Sequence, residues 1–419
     1  MRVKGCVGDE FDCYSVSEAA LCITTCIPAC IFIRQYGHRK LKVICTIILF
    51  LFCLAVTIAC SRIAIITTTA FVVSYYFNVS KKFKLFFVIL VAAIIVCMLK
   101  TDSNLGRIFI LHLSVRMICE HPWIGWGQNG FEANYMNKQA EYFLSHPTDY
   151  EHAMLADNIH HPLNEFVLIA VNYGILGLLI CVVILVAICT RFFRHPTEHG
   201  RLGFEILICL FAFSMVSYPF YYYFTWISVV FAICLLYYDT IRKTIHLVPF
   251  IALYLTHNYV NYNKQLVEWR AAMDSCQYII TSKTIEKYQR LYLSLKGDVR
   301  FLYNYAYELY MYGKYEEALN VATECNKKRA DYDLCLLIGD IHLASERHVQ
   351  AIDAYTHAHY MCPNRFAPLC AIYEVYKNEG NKEKCKELIR TILDKPIKVK
   401  TQETMDYVNY IQSEQMKFH

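Results

Sequence analysis

The stretch HPLNEFVLIAVNYGILGLL, residues 161–179, begins with polar residues and then becomes strongly apolar. Pro162 suits the first turn of a helix, because a proline lacks the N–H that would have no partner there. His161 precedes that turn, and Asn164 and Glu165 lie within it. The pattern predicts a helix that begins at Pro162 and enters a membrane, with titratable and amide side chains at its N-terminal end.

The composition of the whole chain is that of a membrane protein. Of 419 residues, 56% are hydrophobic and only 18% are charged, and the apolar residues come in long blocks, which is unusual for a soluble protein. The blocks end near Thr256. We therefore predict an all-α protein with a polytopic transmembrane helix bundle over residues 1–256 and a soluble domain over residues 257–419. The net charge of +5 gives no indication of a nucleic-acid partner.

Eight apolar segments approach the roughly 20 residues that a helix needs to cross a bilayer. Lys and Arg are concentrated in alternate connections, such as QYGHRK at 35–40 and RFFRHPTEHGRL at 191–202. The positive-inside rule places these connections in the cytoplasm. The N-terminus, the long loop 101–161 and everything after Thr256 are then expected outside it. The predicted spans are 17–34, 41–60, 62–78, 84–100, 164–190, 203–218, 221–239 and 244–256.

The long loop 101–161 carries residues suited to binding an anion such as a diphosphate. Arg107 and Arg116 flank an apolar helical stretch within it, and Arg62 stands at the external end of a span. Arginine is permanently charged and grips phosphate in a bidentate fork, and the helix after the loop would point its positive dipole end at the same face. Trp126 lies in a Gly-punctuated turn and can stack on a sugar. The alternatives are a snorkelling anchor for Arg62 and a place in the interfacial aromatic belt for Trp126.

Three segments together resemble the O-antigen ligases and O-antigen polymerases. Asn164, Gly174 and Gly177 are spaced as in the H-[NSQ]-x9-G-x-x-G signature of that family. RIFIL at 107–111 is similar to its R-x3-L motif, and EHPWIGWGQNGFEANY at 120–135 is similar to the segment between the two.

The resemblance implies a GT-C-like fold and the transfer of a glycan from a polyprenyl diphosphate. The acceptor would be a lipid A core sugar, a growing glycan or a protein hydroxyl, with arginines at the diphosphate and no cofactor. It also implies a multi-pass protein of the bacterial inner membrane that reacts at the periplasmic face.

Two features depart from the family pattern. The histidine of the signature falls at Leu163, so a base for the acceptor would have to be His161, His160 or Glu165, or be lost. A histidine and a glutamate four residues apart on a helix share a face, whereas the alternative is a helix-start histidine with a capping glutamate. Residues 5–29 look like a segment that comes midway through such domains, so an N-terminally shortened chain is expected.

The tail contains a repeat. GKYEEALNVATECN at 313–326, RHVQAIDAYTHAHYMCP at 347–363 and GNKEKCKELIRTILDKP at 380–396 align with spacings of 33 and 34 residues, which is the period of tetratricopeptide repeats. We predict a periplasmic α-solenoid that stacks helix pairs. Its concave face would bind a peptide or protein partner, or the solenoid would serve as a spacer.

Three functions compete on this sequence. Glycan transfer is favoured over a transporter or flippase of the same lipid-linked glycan, since a transporter would place charges at mid-bilayer and the predicted spans contain almost none. A non-catalytic membrane-anchored scaffold that presents the repeats is favoured by the shortened start and by Leu163.

The alternating charge of the connections predicts the side of the membrane on which the tail lies. A phosphatase fused after His419 is expected to be active and a fluorescent protein at the same position dark, because the tail is external. A fluorescent, phosphatase-negative C-terminus would overturn this orientation for every span.

Overall fold

The computed structural model describes residues 16–59, 61–76, 101–241, 248–276 and 281–417, and their regular structure is entirely helical. The predicted all-α class is confirmed for these residues. The first helices are α1 (Val16–Tyr36), α2 (Arg39–Ile58), α3 (Arg62–Tyr76), α4 (Thr101–Glu120), α5 (Gly130–Ser145), α6 (Tyr150–Leu155), α7 (Glu165–Arg194), α8 (Glu198–Ser214), α9 (Tyr223–Leu236) and α10 (Tyr238–Ile241). The later helices are α11 (Val248–Cys276), α12 (Ser282–Leu295), α13 (Val299–Met311), α14 (Tyr315–Lys328), α15 (Tyr332–Ala344), α16 (His348–Met361), α17 (Ala367–Asn378), α18 (Lys382–Leu393) and α19 (Gln402–Lys417).

Three described helices are long and apolar enough to cross a membrane, and they indicate a membrane protein. They cover Ala19–Tyr36, Arg39–Ile58 and Glu165–Arg194, and they correspond to the predicted spans 17–34, 41–60 and 164–190. Their side chains are largely uncovered by other parts of the protein, since only 11% of the residues in the apolar window of α2 and 6% of those in α7 are buried. Such exposure of apolar side chains is expected for helices that face lipid.

The other predicted spans differ in length from the prediction. Helices α3, α8 and α9 have 15, 17 and 14 residues, which is below the roughly 20 residues of a full crossing. The predicted span 84–100 lies outside the described residues. Helix α11 runs without interruption through the predicted boundary at Thr256. The orientation deduced from eight alternating spans therefore stays a prediction.

Helices α1, α2, α3, α8 and α9 share one apolar core. Ala20 and Leu21 of α1 pack there with Cys209 and Leu210 of α8. Two hydroxyls inside this core, those of Thr24 and Thr25, donate to carbonyls one turn earlier in their own helix. No polar group of these threonines is thereby left without a partner, as an apolar surrounding requires.

The tail is a series of antiparallel helix pairs. The second helices of three pairs begin at Tyr315, His348 and Lys382, close to the period read from the sequence. The three aligned residues Ala318, Ala351 and Cys385 are no more than 2% exposed, because each faces the partner helix of its pair. The assignment of these pairs to the tetratricopeptide family stays a prediction.

The loop 101–161 and the tail share a single core. Phe109 of α4 and Tyr135 of α5 belong to the same buried cluster as Tyr332 of α15 and Tyr355 of α16. Segments in direct contact lie on one side of a membrane, so the loop and the tail occupy the same side.

The close approach of α15 and α16 gives a stability prediction. A Cβ at Gly339 would lie 2.6 Å from the ring atom Cδ1 of Tyr355, which is 1% exposed and has no room to move. We expect Gly339→Ala to lower the free energy of unfolding by about 1–3 kcal/mol through overpacking. Gly297→Ala is the control, since a Cβ there meets nothing within 4 Å. Thermal unfolding in detergent, followed by circular dichroism, should separate the two variants, and equal midpoints would contradict the packing.

Candidate active site

Helix α7 begins at Glu165 and is capped by Asn164. The Asn164 Oδ1 atom accepts hydrogen bonds from the N–H groups of Phe166 and Val167 at 2.9 and 3.1 Å, which satisfies two donors that a helix start leaves without partners. Leu163 has a φ of +56°, so it cannot belong to a right-handed helix. The predicted start at Pro162 is therefore wrong by three residues.

Glycine 174 interrupts α7. Its backbone has φ 64° and ψ −160°, a conformation that is essentially restricted to glycine. In a continuous helix, Ile175 N–H would bond to Val171 O and Leu176 N–H to Asn172 O, since each N–H bonds four residues back. The interruption removes both bonds and leaves two donors and two acceptors to be satisfied.

The loop 121–127 satisfies all four of these groups. It lies across the break and forms two hydrogen bonds with the groups before Gly174 and two with the groups after it. Two helical bonds are thus replaced by four bonds between distant segments, and the sequence motif around 120–135 is fastened to the motif around 164–177. The bonds are Trp126 N to Val171 O (2.9 Å), Gly127 N to Asn172 O (2.9 Å), Ile175 N to Pro122 O (2.8 Å) and Leu176 N to Trp123 O (3.2 Å).

Two glycines permit the close approach of the loop to the break. A Cβ at Gly125 would lie 2.5 Å from the carbonyl oxygens of Val171 and Asn172, and a Cβ at Gly174 would lie 2.7 Å from Ile124 N. Both glycines also have positive φ. Backbone atoms cannot move aside as a flexible side chain would. Both positions must therefore be glycine for the loop and the break to come into contact.

Asn172 is a site residue that the sequence interpretation missed. Its side chain is 7% exposed, and its Oδ1 atom accepts a hydrogen bond of 2.9 Å from Phe131 N at the start of α5. One asparagine thus joins the break, the loop and α5. A polar residue within an otherwise apolar span is the signal that marks it in the sequence.

His161 lies just before the N-terminal end of α7. Its ring stacks on Tyr218 at 4.7 Å and meets Tyr221 edge-on at 5.2 Å. The pKa of His161 is lowered to about 4, chiefly by burial; Glu132 opposes this shift, and Arg329 and His160 add to it. Among the described residues, the buried Nδ1 atom has no hydrogen-bond partner.

His161 is therefore neutral near pH 7, and a neutral imidazole can accept a proton. The leading cause of this lowered pKa is burial of the ring.

Glu165 has a structural partner. Its carboxylate, on a residue only 6% exposed, accepts a hydrogen bond of 3.0 Å from Phe220 N. Because α7 begins at Glu165, the expected helical pairing of His161 and Glu165 four residues apart does not exist. Both residues instead contact the turn 218–222, His161 through Tyr218 and Glu165 through Phe220.

His160 contacts the tail. Its Nε2 atom lies 3.3 Å from the Asp331 carboxylate, and both side chains are largely covered, at 23% and 17% exposure. Asp331 comes 171 residues after His160 in the chain, so no sequence pattern connects them.

Helix geometry separates two of the three arginines from each other. Arg107 and Arg116 are nine residues apart on α4, and at about 100° per residue they project from opposite sides of the helix. Arg116 is exposed and lies over the Tyr142 ring at 5.5 Å. Arg62 begins α3, and its side chain lies outside the described residues.

Trp126 is held within its own loop. Its indole N–H donates to Met117 O at 2.9 Å, and Lys138 lies 5.5 Å from the centre of its ring. Trp123 at the tip of the loop is 67% exposed. Of the two rings, Trp123 is the one with a free face.

The family comparison fits this geometry. Residues 19–182, which are 164 of the 419 residues, match the family model described as O-antigen ligase. The matched range contains the part of α7 up to residue 182, which includes the break at Gly174, and also the loop 121–127 and the segment of His160 and His161. The match supports a function in glycosyl transfer. No curated protein matches the chain.

The break in α7 gives a second stability prediction. We expect Gly174→Ala to lower the free energy of unfolding by about 1–3 kcal/mol, because an L-residue is strained at this φ and ψ and its Cβ meets the loop. Gly106→Ala, in α4, is the control, since its Cβ would meet nothing within 4 Å. The measurement is the thermal midpoint of the two purified variants in detergent. A midpoint for Gly174→Ala equal to that of the control would show that the break is not required.

Proposed function

We propose that this protein transfers a glycan from a polyprenyl-diphosphate carrier to an acceptor hydroxyl at the external face of the membrane. The observation that carries the proposal is the partly buried, neutral His161 just before the start of α7, the helix whose break joins two glycine motifs of the O-antigen ligase type. The candidate acceptors are a lipid A core sugar, a growing glycan and a protein hydroxyl.

The break in α7 suggests where the membrane surface lies. The helix has 30 residues and is about 45 Å long, longer than the ~30 Å hydrocarbon core. The twenty residues 175–194 after the break are long enough to cross it, and several are more than half exposed, such as Ile180 and Val183. The turns before the break contain the buried residues Glu165, Val171 and Asn172. His161 then lies just outside the lipid, where a lipid-linked diphosphate is presented.

The proposed chemistry is a displacement at the anomeric carbon of the donor sugar. His161 takes the proton of the acceptor hydroxyl as its oxygen bonds to the anomeric carbon. The bond from that carbon to the diphosphate oxygen breaks, and the polyprenyl diphosphate leaves with the bonding electrons. General-base assistance of this kind contributes about 10²–10⁴-fold to a rate.

We assign Arg107 the role of binding the diphosphate. It occupies the position of the R-x3-L motif, and Arg116 projects from the other side of α4 and already contacts Tyr142. Arg62 and the start of α7, capped by Asn164, would add positive potential on the same side. Trp123 is better suited than Trp126 to stack on a sugar, because its ring is exposed.

The soluble tail is proposed to be a periplasmic tetratricopeptide solenoid. The contact between the loop 101–161 and the tail supports a common side for both, and the positive-inside rule assigns that side to the periplasm. A protein-binding role for the concave face remains part of this proposal.

A second candidate is a non-catalytic membrane scaffold. The observation that favours it is Leu163, which packs against the apolar core where the family signature has a histidine. In this alternative, His161 and Glu165 only fasten the turn 218–222 to the start of α7.

Substitution of His161 separates the two functions. We expect His161→Ala to lower the rate of transfer of a radiolabelled polyprenyl-diphosphate-linked oligosaccharide by about 10²–10⁴-fold, with normal amounts of protein in the membrane. Glu165→Gln should stay near the original rate, because an amide oxygen still accepts the Phe220 N–H. His195→Ala, exposed at the other end of α7, is the matched control. Near-normal transfer by His161→Ala would show that the segment 161–165 has a structural role only.

A further inference from the structure

The turn between α14 and α15 contacts the loop 101–161 through a largely covered ion pair. Arg329 donates from Nε and Nη2 to one carboxylate oxygen of Glu132, at 3.1 and 3.0 Å. The two side chains are 14% and 19% exposed, so solvent screens the pair only weakly. The next residue, Ala330, donates its N–H to the backbone carbonyl of Glu132 at 3.0 Å. The tail is thus fixed to the first turn of α5.

The same turn holds the segment that leads to His161. Asn158 donates to the Asp331 carboxylate at 2.9 Å and accepts from Tyr332 N at 3.3 Å. The same carboxylate oxygen of Asp331 lies 3.3 Å from His160 Nε2. A single aspartate of the tail therefore contacts side chains one and three residues before His161.

Other tail residues hold the beginning of this segment. Asn364 donates to the carbonyls of Ala153 and Ala156 at 3.0 and 2.6 Å, and Arg365 pairs with Asp157 at 2.9 Å. Backbone carbonyls in the last turn of a helix and beyond its end need such donors. Between the end of α6 and His161, the external segment is held mainly by the tail.

We propose that the turn 329–332 of the tail is a positioning element of the transfer site, which sets the place and surroundings of His160 and His161. The inference rests on the proposed function of His161. It assigns the tail a role in the reaction itself, in addition to any binding of partners. Arg329 and Asp331 act through the loop and are not catalytic residues.

The ion pair also sets the charge around His161. Glu132 on α5 favours the protonated imidazole and Arg329 disfavours it, with His160 as the third charged neighbour and the rings of Tyr218 and Tyr221 on the remaining side. Removal of Arg329 alone should raise the pKa of His161, and removal of Glu132 alone should lower it. A histidine with a raised pKa is protonated, and lost as a base, at a higher pH.

The experiment compares four variants of the full chain in membrane vesicles. They are Arg329→Gln, Glu132→Gln, the double variant and Arg347→Gln, a control that removes an ion pair with Glu316 within the tail. Transfer from the labelled polyprenyl-diphosphate oligosaccharide is measured at about pH 5 and about pH 7.5, which bracket ordinary histidine titration. Hydrogen exchange over residues 153–161 gives a readout that does not depend on activity.

We expect Arg329→Gln to slow transfer at the higher pH by up to about 10²-fold, as expected for a misplaced catalytic group. The transfer rate at the lower pH divided by the rate at the higher pH should be smaller for Arg329→Gln than for the unchanged protein. For Glu132→Gln this ratio should not fall, and for the double variant it should equal that of the unchanged protein. Exchange over 153–161 should rise in all three. A merely structural loss would not make the ratio depend on which partner is removed.

The positioning role is overturned if Arg329→Gln matches Arg347→Gln in rate, ratio and exchange while His161→Ala is inactive. The outcome differs if only the proposed base is wrong. In that case His161→Ala transfers normally, the ratios no longer differ, and Arg329→Gln still slows transfer and raises exchange.

Discussion

The structure depends on one exchange of hydrogen bonds, in which α7 gives up two bonds at Gly174 and gains four from the loop 121–127. An interruption of this kind in an apolar helix would be costly if its backbone groups stayed without partners. The loop supplies those partners, and Gly125 and Gly174 supply the space. The glycines of two motifs that lie about 50 residues apart in the sequence therefore serve a single contact.

The remaining parts of the candidate site follow from this contact. Fixing the loop to the break places α5 beside α7 through Asn172 and Phe131. With α5 in place, Glu132 can pair with Arg329, and the tail then holds Asn158 and His160. The segment before α7 is held by the tail at one end and by the start of α7 at the other, and His161 stacks on the turn 218–222. A membrane helix, the loop 101–161 and the tail thus contribute to one small region.

The sequence was sufficient for the features that depend on local pattern. Apolar length predicted α1, α2 and α7, the repeat period predicted the helix pairs of the tail, and the spacing of Asn164 and Gly174 indicated the motif. The start of α7 was predicted three residues early, because the side-chain cap of Asn164 and the left-handed conformation of Leu163 decide it and Pro162 does not. The surroundings of His160 could not be predicted, since Asp331 reaches it only after the whole tail has folded against the loop.

The exchange of backbone hydrogen bonds at the break is tested most directly by the amide protons of Trp126 and Gly127. Both donate to carbonyls of α7, although Gly127 is exposed. Hydrogen–deuterium exchange of the protein in detergent should therefore show these two amides protected to the same degree as Ile175 and Leu176. Rapid exchange at Trp126 and Gly127 with slow exchange at Ile175 and Leu176 would indicate a continuous helix without the loop, and it would contradict the account.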